Sequence, residues 1–147
     1  MRLRTPMPEL EGASKWINGK VTRSQLIGEK PTLIHFWSVS CHQCKEAMAN
    51  VNRICEQYKD QLNVVAVHMP RSEEDTDIKQ IKKTAAKFNI SHPVFVDNFL
   101  KLTDAFNNQF VPAYYVFDKF GVLRHYQSGS RGTKMVETSI NRLIQET

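Results

Sequence analysis

With 147 residues, 41% of them hydrophobic and 24% charged, the chain has room for a single domain, residues 1–147, with a substantial core. Its 20 Lys and Arg against 15 Asp and Glu leave a net charge of +5, but the basic residues are scattered and not interleaved with aromatics, which speaks against nucleic-acid binding. Three cysteines are too few for a disulfide framework, no apolar run reaches the ~18 residues of a membrane span, and the opening MRLRTPMPEL lacks the apolar stretch of a secretory leader, so a soluble cytoplasmic protein away from the membrane is expected.

Residues 1–30 are punctuated by Pro6, Pro8, Gly12, Gly19 and Gly28, and Asn18-Gly19 between apolar neighbours signals a hairpin turn, which predicts an N-terminal β-hairpin extension. TRSQLIG reads as a short helix capped by Thr22 and stopped by Gly28. TLIHFWSV is a near-continuous apolar run, the pattern of a parallel strand covered on both faces. From about His42 to Tyr58 the residues Ala47, Met48, Val51, Ile54 and Tyr58 form a helical stripe. LNVVAVHM is a second buried strand. DIKQIKKTAAKFNI places Ile78, Ile81, Ala85 and Phe88 at helical spacing, a helical insertion over about 77–90. HPVFVD then reads as a strand and FLKLTDAFN as a short helix. PAYYVFD and VLRHYQ flank Gly121 as an antiparallel hairpin, and KMVETSINRLIQE closes the chain as a helix with Met135, Ile140, Leu143 and Ile144 inward. Strands alternating with helices predict an α/β fold, a parallel core sheet covered on both faces, and the terminal hairpin makes that sheet mixed.

The chemistry concentrates in FWSVSCHQCKEAM, where Cys41 and Cys44 stand two residues apart at a strand-to-helix junction. Half a zinc site, a structural staple and a working thiol pair all use this spacing. Zinc needs two further soft or imidazole ligands at short spacing; there is no second C-x2-C and the histidines are dispersed. A purely structural disulfide does not suit a reducing compartment. A helix N-terminus favours a thiolate, the nucleophile of disulfide exchange, and one helical turn brings the second cysteine within disulfide reach. Cys41 is therefore expected to attack, and Cys44, one turn in and more buried, to resolve. Cys55 lies roughly 16 Å farther along the same helix, beyond any intramolecular bridge, and reads as a small apolar residue on a helix flank.

FWSVSCHQCK resembles the active-site strand and helix of the thioredoxin superfamily, and FVPAYYVFD resembles its loop with a proline facing the cysteines. MPELEG, the helical stretch near 77–90 and VFDKFG are similar to the TlpA/ResA-like branch. The resemblance covers nearly the whole chain. It implies a thioredoxin-like three-layer α/β/α sandwich with a mixed central sheet, and dithiol–disulfide exchange by Cys41 and Cys44. It matches Pro112 to a cis-proline, leaving the Val111 backbone free to pair with an extended partner segment. His35, six residues before Cys41, stands where thioredoxins bury an acid that serves the inner cysteine; Leu33, His35 and Trp37 share one face of the strand, and His35 is expected to act in the resolving step. His42, beside Cys41, is expected to stabilise its thiolate when protonated. Trp37 is placed under the site, with Val111, against the substrate. Ser40 replaces a common Trp, and Ala49 replaces a helix-kinking Pro.

The expected function is a cytosolic thiol–disulfide oxidoreductase acting as a monomer on protein disulfides. It needs no bound cofactor, no metal and no nucleic acid, and draws electrons from a donor such as thioredoxin reductase. A thiol peroxidase would have Pro-Thr before its cysteine where this chain has Val39-Ser40, and a copper chaperone of similar fold would have a wider C-x3-C pair with a distal His. Arg71, Glu73 and Glu74, after the second strand, read as solvated loop charge, and His68, His92 and His125 as packing or surface residues.

Overall fold

The computed structural model describes all residues, 1–147. In chain order the elements are β1 (Lys15–Ile17), α1 (Arg23–Leu26), β2 (Thr32–Trp37), α2 (His42–Gln57), β3 (Asn63–His68), α3 (Ile78–Lys87), β4 (Val94–Val96), α4 (Lys101–Phe106), β5 (Ala113–Phe117), β6 (Leu123–Ser128) and α5 (Thr133–Glu146). Short 3-10 turns at Glu73–Thr76 and Ser130–Gly132 precede α3 and α5.

All six residues of β2 are buried, as its unbroken apolar run requires of a strand covered on both faces. It pairs parallel with β3 and antiparallel with β5. The six strands lie in the order β1-β4-β3-β2-β5-β6, parallel through β4, β3 and β2 and antiparallel at both margins. Alternate residues of β2 enter two cores. Leu33 and Trp37 join Met48, Val51 and Ile54 of α2, Ile81 and Ala85 of α3, and Val136 and Ile140 of α5. Ile34 and Phe36 join Leu26 of α1, Phe106 of α4, and Met7 and Leu10 of the lead-in. The result is three layers, helix on sheet on helix.

Local chemistry sets the helix ends. Thr22 caps α1 in a reciprocal box with Gln25. Asp77 caps α3 by accepting from the Lys79 and Gln80 N–H groups. α2 runs uninterrupted for 16 residues. The buried Asp97 carboxylate accepts from the Leu102 N–H at 3.0 Å and from the Thr103 N–H and hydroxyl, each at 2.7 Å, which pins the start of α4 to the end of β4.

Two expectations need correction. No N-terminal hairpin forms. Asn18 and Gly19 do turn, both with positive φ, but the strand before them pairs antiparallel with β4, Trp16 opposite Phe95. Burial decides this: Trp16 packs edge-on to Phe95 at 5.2 Å, and the Asn18 amide ties the turn to the Ile90 and His92 carbonyls. Met135 is also not inward; it is 56% exposed. Val136, Ile140 and Leu143 form the buried face of α5, and Met135 stands ~100° off that stripe.

Phe106 is fully buried, with Phe36, Tyr115 and Phe117 packed around its ring at centroid distances of 5.2, 4.9 and 6.0 Å. Phe106→Ala should therefore cost about 3–5 kcal/mol in urea unfolding, while Met135→Ala should stay within about 0.5 kcal/mol. Equal losses in the two variants would contradict this assignment of the core.

Candidate active site at the carboxyl end of the central strand

Because β2, β3 and β4 are parallel, their carboxyl ends share one pole. β5 starts at that pole, since Ala113 pairs with Phe36 one residue before the end of β2. The loop that enters α2 and the loop that enters β5 are thus brought side by side by register alone.

Cys41 is the N-cap of α2, and its sulfur accepts from the Cys44 N–H at 3.1 Å. The two cysteines are joined as a disulfide, with Cα atoms 5.3 Å apart. The expected contrast in burial is small: Cys41 is 3% and Cys44 1% exposed, because both sulfurs pack into the core with Trp37, and Val39 and Val111 lie against that cluster. On the facing loop the Val111–Pro112 peptide is cis. The Val111 N–H and C=O make no hydrogen bond within the molecule, and Phe110 beside them is 62% exposed.

Between the end of β2 and Cys41 runs a three-residue strap, Ser38-Val39-Ser40, and every residue of it is tied down. One oxygen of the buried Asp75 carboxylate accepts from the Ser38 hydroxyl at 3.0 Å, the Ser40 hydroxyl at 2.7 Å and the Arg71 N–H at 2.9 Å. The Val39 N–H donates to Nε2 of His68 at 3.0 Å. The Arg71 guanidinium donates to the Ser40 carbonyl at 2.6 Å and to its hydroxyl oxygen at 3.1 Å. Burial pushes the Asp75 carboxyl up, but the bonds from Ser40, the Arg71 N–H and Ser38, with attraction to His68, hold it below the ordinary carboxylate value. Burial takes His68 down to about 4 against the attraction of Asp75. His68 is thus neutral, and since Nε2 accepts, its proton sits on Nδ1.

The remaining sequence candidates fall in different places. Trp37 is fully buried, edge-on to His68 at 4.9 Å, and so cannot meet a substrate; strand alternation turns it inward. His42 is exposed but bonded to Glu46 one turn on, at 3.1 Å. His35 shares the face of Leu33 and Trp37, but its Nε2 pairs with Nε2 of His92 at 2.7 Å, and no hydrogen bond joins it to Cys44. Burial, then the neighbouring ring, keeps its imidazole well below the usual range. His92 in turn lies 3.9 Å through Nδ1 from Cys55, whose thiol burial pushes up to about 11. Arg71 is not free loop charge, and Asp75, which the sequence reading did not single out, is the buried acid of the site. Ser38, at the end of an apolar strand covered on both faces, was the available signal, since a buried hydroxyl needs a partner. No group of three or more His, Cys, Asp or Glu is arranged to hold a metal ion, and no helix is long and apolar enough to cross a membrane.

A model of the AhpC/TSA family matches residues 3–126. The chain is 65% identical over 147 residues to the thiol–disulfide oxidoreductase YkuV of Bacillus subtilis, covering 100% of this chain and 99% of that one. It is 31% identical over 143 residues to the protein DipZ of Mycobacterium tuberculosis, covering 95% of this chain but 21% of that longer protein. A solution structure of a thioredoxin-like protein in the oxidized form superposes with a TM-score of 0.92 at 65% identity, covering 100% and 99% of the two chains. A thiol:disulfide interchange protein DsbE from Chlorobium tepidum superposes at 0.84 with 19% identity, covering 98% and 99%, a likeness of fold. The fold is thioredoxin-like, as the resemblance implied.

The strap carries its own pH dependence. An unfolded histidine takes up its proton near pH 6.5, whereas folded His68 resists until about 4. The unfolded state therefore binds more protons in that window. Stability is complete above about pH 6.5 and falls as pH drops toward 4, by up to about 1.4 kcal/mol per pH unit for this one group. His68→Gln, which keeps an acceptor for the Val39 N–H but does not titrate, should remove about one proton's worth of slope from urea stabilities measured between pH 6.5 and 5. An unchanged slope would mean that His68 titrates alike in the folded and unfolded states, contrary to this reading.

Proposed function

Given that the chain belongs to the AhpC/TSA family and is a thiol–disulfide oxidoreductase of thioredoxin-like fold, we propose that it works as a cytosolic reductant of protein disulfides, as a monomer, with Cys41 as nucleophile and Cys44 as resolving thiol. The observation that carries this reading is the position of the Cys41–Cys44 pair at the N-terminus of α2, across from the unpaired Val111 backbone.

The cycle starts from the dithiol. The α2 N-terminus and the Cys44 N–H favour negative charge on Cys41. The Cys41 thiolate attacks one sulfur of the substrate disulfide; a mixed disulfide forms and the other substrate sulfur leaves as thiolate, taking up a proton. Cys44 then loses its proton and attacks the Cys41 sulfur. The second substrate thiol is released and the enzyme is left as the disulfide seen in the structure. A donor dithiol, such as thioredoxin reductase supplies through its flavin, returns two electrons and two protons. The substrate segment lies extended along Val111, whose N–H and C=O supply main-chain pairing, while Pro112, having no N–H, adds no competing donor.

His35, expected to act in the resolving step, has His92 as its Nε2 partner and makes no hydrogen bond to Cys44, so no base for Cys44 is assigned to it here. The Ser38-Val39-Ser40 strap supports exchange with disulfides over peroxide chemistry, because both its hydroxyls are committed to Asp75.

Cys41→Ser should abolish reduction of insulin disulfides, and Cys44→Ser should accumulate a covalent mixed disulfide that a non-reducing gel resolves and dithiothreitol releases. Normal turnover by either variant would sink the assignment of roles. Faster consumption of hydrogen peroxide than of insulin disulfides by the parent would favour the peroxidase reading.

A further inference from the structure

Most immobilised arginines of this protein are fixed by carboxylates. Arg53 is held by Glu137, Arg124 by Asp118 and Glu146, and Arg23 by Glu9. Arg71 is fixed differently. Its Nη2 donates at 2.6 Å to the Ser40 carbonyl, part of the peptide that leads into Cys41, and its Nε donates at 3.1 Å to the Ser40 hydroxyl oxygen. Both acceptors are neutral. Nη1 makes no hydrogen bond, and Arg71 enters no ion pair, although Glu73 and Glu74 lie two and three residues on in the chain. The negative charge beneath, Asp75, is buried and bonded to Ser38, Ser40 and the Arg71 main-chain N–H, not to the guanidinium. The guanidinium itself is exposed. On the α2 side of the disulfide His42 is already bonded to Glu46, and the facing loop, residues 107–112, has no charged side chain, an open main chain at Val111 and the exposed ring of Phe110. A planar cation, oriented but not neutralised, thus stands one residue from the reacting sulfur.

We propose that Arg71 is a specificity-determining residue: its free N–H groups hold a carboxylate of the incoming protein segment, so that the site favours disulfides flanked by Asp or Glu. This rests on the disulfide-reductase reading above. A guanidinium already held in place loses little rotamer freedom on binding a carboxylate, and its fork suits that group better than a lysine ammonium does.

The test uses three peptides of one sequence around a single disulfide, differing only in Glu, Gln or Lys next to the attacked cysteine. Their reduction by the pre-reduced full-length protein is followed in single turnovers at fixed ionic strength, which makes the natural electron donor irrelevant. The Glu peptide should react about three- to tenfold faster than the Lys peptide. Arg71→Gln should bring that ratio close to one, and Arg71→Glu should invert it; circular dichroism and thermal midpoints check that both variants are folded. Equal rates for the three peptides with the parent, or a ratio that survives in Arg71→Gln, would overturn the inference and leave the reductase reading intact. So would a common slowing of all three peptides in Arg71→Gln, which would make Arg71 a positioning group for Cys41. Failure of the parent to reduce any peptide would instead overturn the reductase reading itself.

Discussion

β2 has no side that meets water. It is covered on both faces and paired along both edges, parallel to β3 and antiparallel to β5. A strand held in four directions cannot shift by one residue without exchanging its two cores, Leu33 and Trp37 for Ile34 and Phe36. Its carboxyl end is therefore a fixed point. The cysteine pair hangs from that point on one side through three residues, and the Val111–Pro112 loop meets it on the other because Ala113 is in register with Phe36. The geometry of the cysteine pair is a consequence of core packing.

What the core does not fix, the strap does. Ser38, Val39 and Ser40 lie where a regular strand has ended and a regular helix has not begun, so their polar groups need partners from elsewhere. Asp75 supplies one charged acceptor for two hydroxyls and a main-chain N–H, and His68 a neutral one for the Val39 N–H. A buried carboxylate without donors would cost several kcal/mol. With three donors on one oxygen it is stable, and the same bonds restrict the segment just ahead of Cys41. Both partners reside on or just after β3, so the segment between β3 and α3 is part of the site.

The parts of this arrangement that follow from local pattern were legible in the sequence. The apolar run of β2, the stripe of α2 and the C-x-x-C at their junction need only strand and helix periodicity and the reach of one helical turn. Resemblance added the cis peptide at Val111–Pro112, which periodicity does not contain. The strap was not legible, because Asp75 lies 35 residues from Ser40 and its meaning depends on which loop β3 delivers beside β2. Arg71 had the same difficulty: among Arg71, Glu73 and Glu74 nothing local separates a bonded side chain from solvated ones. His35 lies on the face of Leu33 and Trp37 that strand alternation assigns it, but its partner His92 comes from the loop just before β4, a pairing decided by strand order. The hairpin failed for a related reason. Asn18-Gly19 has turn chemistry, and the strand before it found a better neighbour in β4.

Both outer margins of the sheet are poor templates for another chain. β1 is three residues long. β6 begins beneath the N-terminal lead-in, with main-chain bonds from Arg4 to Leu123 and from Leu123 to Thr5, and its pairing with β5 slips between Val116 and Phe117. Short, covered or irregular edges resist the sheet-to-sheet accretion that leads to fibrils. The protein substrates proposed above would bring extended strands in search of a partner to this molecule. In this molecule the open main chain at Val111 is a stub too short to nucleate a growing sheet, so a substrate strand docked there, as proposed, would be released without being incorporated.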